Sequence, residues 1–174
     1  MSEKGIGAVV GLILGLLICV IIFKVCNRNS KLKCEYDERQ EMARGRAYKY
    51  GFYTAIVYLG FMAIWPLFEI KLIVDNTVLS FIGVLVSICV MAVYAIWHDA
   101  YWGLNNNKNR YILVFILATV INLANGIISI LSGHMVEDGV VQAPCINLLC
   151  GLMFLIIAVT LLIKDKFKKD EEEE

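Results

Sequence analysis

The stretch Val78-Leu-Ser-Phe-Ile-Gly-Val-Leu-Val-Ser-Ile-Cys-Val-Met-Ala-Val-Tyr-Ala-Ile-Trp97 runs for 20 residues without a charged side chain. At about 1.5 Å per residue, a helix of that length spans about 30 Å, the thickness of a bilayer's hydrocarbon core. Four further apolar runs, 5–23, 52–68, 111–131 and 145–163, are 17 to 21 residues long. The pattern predicts an all-α fold: a polytopic membrane helical bundle of five transmembrane helices, forming a single membrane domain over residues 1–174.

Composition points the same way. Apolar residues make up 59% of the chain and charged ones 18%, against about 45–50% and about 25% in soluble domains. The mean hydropathy is +0.70. A chain of this length leaves too much surface in water to hide that excess in a single core. The pieces between the runs are 4 to 28 residues long, too short to fold as separate domains. The run 5–23 is expected to stay as an anchor, because Lys24, Arg28, Lys31 and Lys33 follow it and no small-residue cleavage site does. In the run 52–68, Pro66 is expected to kink the helix rather than break it.

Lys and Arg set the expected orientation. Segment 24–51 holds 8 of them, 98–110 holds 2 and 164–174 holds 4, whereas 1–4 and 69–77 hold 1 each and 132–144 none. Short loops with the basic excess stay cytoplasmic. The expectation is a multi-pass cell-membrane protein with its N-terminus outside and its C-terminus cytoplasmic. Tyr94, Trp97, Tyr101 and Trp102 mark the cytoplasmic boundary of the run 78–97. The acidic tail 164–174 is expected to be disordered and solvating.

Several polar and small residues stand out. Gly7, Gly11 and Gly15, continued by Cys19, recur every four residues and form a helix-packing strip, facing either another span or a second copy of the chain. In the run 111–131, Thr119, Asn122, Asn125, Gly126 and Ser129 share one side of a helix, and Asn147 in the next run is the expected partner of the asparagines. Buried amides need hydrogen-bond partners, so this side is expected to face the bundle, as interhelical glue or as a polar mid-membrane site. His134, Glu137 and Asp138 lie together in one loop, and His98 and Asp99 at the end of a span. Gly133 and Gly139 give the first group the character of a solvated turn rather than a metal site. The cysteines are expected to be free thiols, and no cofactor or metal is expected. No nucleophile–base constellation or phosphate loop occurs, so no catalytic residues are assigned.

Residues 35–51 are the most informative polar stretch. Asp37, Glu38 and Glu41 precede Arg44, Arg46 and Lys49, which suits the dipole of a helix running straight into the span 52–68. The string Tyr36-Asp-Glu-Arg-Gln40, followed by Arg44-Gly-Arg-Ala47 and Tyr50-Gly51 at the mouth of a hydrophobic helix, resembles a group of small uncharacterised multi-span membrane proteins of Gram-positive bacteria. In these a DERQ motif precedes an RG-basic-A juxtamembrane stretch. The resemblance covers about residues 36–52 and carries over Asp37, Glu38, Arg39 and Gln40, with no catalytic role attached. It implies a bacterial cytoplasmic membrane.

Together these features give the expectation of a non-enzymatic integral membrane protein. Its role would be accessory or regulatory, exerted through helix packing and the juxtamembrane motif Asp37, Glu38, Arg39, Gln40, Arg44 and Arg46. The alternative is a small-solute transporter or channel using Asn122, Asn125, Ser129 and Asn147. A membrane enzyme on His134–Asp138 or His98 and Asp99 ranks last. The expected partners are the lipid bilayer, a second copy through the helix 5–23, and a cytosolic or membrane protein; nucleic acid is not among them.

Overall fold

The computed structural model describes residues 35–68, 73–104 and 108–173, with Leu17 alone before them. The chain divides into two units, Met1–Glu35 and Tyr36–Glu174, and every helix named below belongs to the second. The expected span 5–23, with the packing strip Gly7, Gly11 and Gly15, lies outside the described residues apart from Leu17. The described elements are α1 (Glu38–Ile64), a 3₁₀ turn (Trp65–Phe68), α2 (Asn76–Trp97), α3 (Lys108–Leu131), β1 (Val136–Glu137), β2 (Val140–Val141) and α4 (Cys145–Glu173). All four helices are long and apolar enough to cross a membrane.

α1 takes in both the polar stretch 35–51 and most of the apolar run after it. Its start is a capping box: Gln40 N donates to Asp37 Oδ1 at 2.6 Å, and Gln40 Oε1 accepts from Asp37 N at 3.3 Å. Two of the N–H groups that a helix start leaves without partners are satisfied reciprocally. At its other end, the helix is not broken at Pro66 but changes pitch. The α-helix stops at Ile64 and tightens into the 3₁₀ turn Trp65–Phe68. Proline has no N–H for the carbonyl four residues back, and its ring collides with that carbonyl.

The helices pack as a row, α1 on α2, α2 on α4 and α4 on α3. α1 meets α2 along Ala43, Ala47 and Gly51, which are buried and four residues apart. A Cβ at Gly51 would sit 3.2 Å from both Met91 Cβ and Ser87 O, so the two backbones are close. Further along, the Tyr58 ring lies over Gly83, and its hydroxyl donates to Leu79 O at 2.5 Å. Between α2 and α4 the core consists of Ala92, Ile96, Met153, Ile157 and Leu161.

α3 and α4 interlock reciprocally. Leu148 of α4 fills the space above Gly126 of α3, and Leu123 of α3 fills the space above Gly151 of α4. Each helix offers a leucine and, three residues later, a glycine, so two antiparallel helices exchange a knob for a hole twice. Without a hydrophobic drive between helices in lipid, this close approach is what dispersion and packing require.

The loops before α2 and α4 are tied together at one end of the row. β1 and β2 pair antiparallel, Val136 with Val141 and Glu137 with Val140. The two residues between them, Asp138 and Gly139, have φ of 51° and 75°, the both-positive geometry of a tight hairpin turn. Val141 N donates to Ile73 O at 2.8 Å and Asp75 N to Val141 O at 2.9 Å, adding the approach to α2 as a third strand-like segment. Asp75 then caps α2 by accepting from Thr77 N at 2.7 Å. Hydrogen bonds from Thr77 hold its carboxyl below the usual carboxylate range.

The tail is a departure from expectation. It is helical to Glu173 rather than disordered. Lys and Glu are good helix formers, no Gly or Pro stops the helix, and Phe167 packs edge-on against Trp97 with ring centroids 6.4 Å apart.

A row leaves broad faces uncovered. Only 6% of the apolar window of α1 is buried, against 28% for α4. Ile56, Val57 and Leu59 on α1 and Val120, Ile121 and Ile128 on α3 are exposed. Apolar surface on that scale suits lipid rather than water.

Two glycine substitutions separate close packing from glycine's mere abundance. Gly151→Leu drives a side chain into Leu123, whose backbone N would lie 3.2 Å from an added Cβ, and is expected to cost about 1–3 kcal/mol. At Gly60 nothing lies within 4 Å of an added Cβ, so Gly60→Ala is expected to be neutral or to stabilise by about 0.5–1 kcal/mol. Thermal unfolding in detergent reads both, and equal loss in the two variants would contradict the interlock.

Candidate functional site

The end of the row where α1 begins, α2 finishes and α4 leaves its apolar stretch carries most of the chemistry. Its centre is the C-terminus of α2. Ala100 N donates to Ala95 O at 2.8 Å and Asp99 N to Ile96 O at 3.1 Å, with Asp99 at φ 56°. This is a Schellman motif whose left-handed position is usually glycine, although aspartate tolerates it. Ala100, the residue after it, is buried.

Asp99 supplies what glycine cannot, a carboxylate. Lys164 of α4 places its ammonium 2.7 Å from Asp99 Oδ1, while the same Nζ donates to Ile96 O at 2.7 Å and to Trp97 O at 2.9 Å. An ammonium has three N–H donors, and here each has an acceptor. A cation at this position also complements the negative pole of the α2 dipole. The Lys164 side chain is 16% exposed and that of Asp99 61%. The contact with Ile96 O is therefore the sheltered part, while the contact with Trp97 O and the ion pair are open to water.

α1 reaches the same point from the other side. Gln40 Nε2 donates to Asp99 O at 2.7 Å, while Gln40 Oε1 serves the capping box. Gln40 is buried. One amide therefore finishes the start of α1 and fastens it to the end of α2. Lys164 fastens α4 to the same turn, and three helices share one junction.

This geometry divides the sequence motif. Asp37 and Gln40 are structural: one caps, the other caps and tethers. Glu38, Arg39 and Arg46 are exposed on the outer side of α1 together with Met42, which is 62% exposed. The Arg44 guanidinium lies 3.9 Å from the centroid of the Tyr36 ring and donates to Tyr48 Oη at 3.1 Å. Aromatic rings surround the junction. Tyr94 stacks on His98 at 4.0 Å and 18°, and Tyr50 lies 4.9 Å from Tyr94.

His98 and Asp99, though adjacent, point to different partners. His98 Nδ1 is 2.9 Å from Tyr94 O, while the Asp99 carboxylate faces Lys164. His134, Glu137 and Asp138 lie exposed on the turn and hairpin at the opposite end. Among the described residues, no group of three His, Cys, Asp or Glu side chains is arranged to hold a metal ion.

The polar side chains of α3 close on their own helix. Asn122 Nδ2 donates to Ala118 O at 2.8 Å, Thr119 Oγ1 to Phe115 O at 2.8 Å and Ser129 Oγ to Asn125 O at 2.9 Å. The expected partnership of Asn147 with Asn122 or Asn125 does not form. Asn147 is half-buried near the start of α4, and no hydrogen bond joins it to either asparagine. A carbonyl one turn back is always within reach of a short polar side chain, whereas an interhelical partner has to be positioned.

Lys164, which in the sequence is one of the four cations of 164–174, is the residue that joins α4 to this turn. The available signal was the His98-Asp99-Ala100 ending of α2, which lacks the usual glycine and so leaves a carboxylate beside exposed carbonyls. Lys164→Met is expected to cost about 2 kcal/mol, because it leaves the sheltered Ile96 carbonyl without its charged donor. Asp99→Asn, which loses only the water-screened pair, is expected to cost less than about 1 kcal/mol. Thermal unfolding of the purified variants checks the ranking, and equal losses would contradict it.

Compared with known proteins, the chain matches no protein family, no curated protein and no solved structure.

Proposed function

We propose that the chain is a non-enzymatic integral protein of a bacterial cytoplasmic membrane, acting as an accessory or regulatory component that offers the outer face of α1 to a cytosolic partner. The observation that carries this reading is the division of the motif. Asp37 and Gln40 are used internally, which makes the first turns of α1 a rigid extension of the bundle. Glu38, Arg39 and Met42 stand exposed on that extension. A methionine flanked by opposite charges on a held helix suits protein recognition, because little ordering entropy remains to oppose binding.

In this proposal the end bearing the junction is cytoplasmic. The four described helices alternate in direction, so residues 35–38, 98–104 and 164–167 share one end, and the basic segments belong to it. The run 5–23 is proposed as a fifth span that puts the N-terminus outside.

A photo-crosslinking residue at position 39 or 42 in cells is expected to give a defined adduct that Glu38→Lys removes while the melting temperature is retained. Cysteine in place of Asp138 should react with an impermeant maleimide from outside, and cysteine in place of Arg39 only after permeabilisation. Adducts from 39 and 42 no stronger than one from Ser80, at the opposite end, would overturn the docking face. Labelling in the reverse sense would overturn the orientation.

A further inference from the structure

Three apolar cavities, all broadly open to the surface, lie along one face of α2, and Val90 lines all of them. Their floor is a continuous helical stripe, Val86, Val90, Val93 and Trp97, spaced 4, 3 and 4 residues apart. Val86, Val90 and Trp97 of this stripe are exposed. Val57 of α1 belongs to one wall and Ile156 of α4 to the other. From Ile82 to His98 the trough follows α2 for about 24 Å, at about 1.5 Å per residue. That exceeds the depth of one leaflet, about 15 Å, or half the hydrocarbon thickness.

The chemistry changes at the end where the junction lies. The α1 wall continues beyond Val57 and Tyr53 to Lys49 and Arg46 at spacings of 4, 4 and 3, so both cations share the face that flanks the trough. Both are exposed, and Lys49 Nζ lies 5.7 Å from the centroid of the Tyr53 ring, itself a lining residue. Between Met42 and Phe68 the sequence contains no Asp or Glu, and the nearby Asp99 carboxylate is held by Lys164. The trough thus joins a long apolar floor to a cationic mouth, charge-complementary to a lipid that has an apolar tail and a negative head.

We propose that this trough binds one acyl chain of an anionic phospholipid, with the phosphate at the mouth against Arg46 and Lys49. The site requires that this face of α1, α2 and α4 meet lipid, and so rests on the reading of the chain as a membrane protein. Arg46 lies on the same side of α1 as the docking face at Glu38, Arg39 and Met42, but the two assignments are read separately, by lipid preference here and by a protein adduct there. Arg46 and Lys49 steer the choice of headgroup, and Val90 sets the width of the floor.

The test uses the full chain in phosphatidylcholine nanodiscs, doped with phosphatidylglycerol or phosphatidylcholine brominated along the acyl chain. Quenching of Trp97 is read as the difference from Trp97→Phe. Brominated phosphatidylglycerol is expected to quench with about a 30-fold preference over brominated phosphatidylcholine, about fivefold for each cation at the surface. Arg46→Gln with Lys49→Gln should abolish the preference while leaving baseline quenching intact. Val90→Phe, which fills the point where the cavities meet, should also abolish it. Equal quenching by the two lipids in the unaltered protein, or a preference that survives the double substitution, would overturn the proposal.

Discussion

A helix whose apolar circumference is only partly covered by protein needs another apolar medium for the rest, and that constraint governs this molecule. α1 and α3 flank a row rather than closing a ring, so much of each faces outward with isoleucine, valine and leucine. Helix–helix contact in such a medium gains nothing from expelling water, and it depends on close approach. Among the described residues this requirement is met by Gly51 against Ser87 and Met91, by Gly83 beneath Tyr58, and by the Gly126–Leu148 and Leu123–Gly151 exchange.

The same constraint explains the chemistry at the helix ends. Backbone carbonyls that finish a helix near hydrocarbon need donors. At the end of α2 those donors come from elsewhere in the chain, the Gln40 amide of α1 and the Lys164 ammonium of α4. The juxtamembrane motif thus divides within one helical turn. Asp37 caps α1 and the buried Gln40 ties it to the end of α2, while Glu38 and Arg39 stay exposed.

Features governed by local pattern were legible before the structure. The run 78–97 became α2 at Asn76–Trp97, and 111–131 became α3 at Lys108–Leu131, because length and hydropathy dictate spans directly. The acid-then-base order of 35–51 likewise pointed to a helix entering a span, and Gly133 and Gly139 to a turn. What escaped depended on partners distant in sequence. Nothing near Lys164 announces Asp99, and Leu123 and Gly126 become a packing device only once Leu148 and Gly151 lie opposite them. The tail shows a different failure, since its local signal admitted two outcomes and the Phe167–Trp97 ring contact favours the helical one.

Collision accessibility of nitroxides placed singly along α1, with the protein in nanodiscs, tests most directly whether hydrocarbon covers these helices. Labels at Ile56, Val57 and Leu59 should collide with oxygen and be shielded from a water-soluble nickel chelate, while labels at Glu38 and Arg39 should show the reverse. Strong chelate collision at Ile56, Val57 and Leu59 would mean that water reaches those faces, and would contradict the reading of the row as a membrane structure.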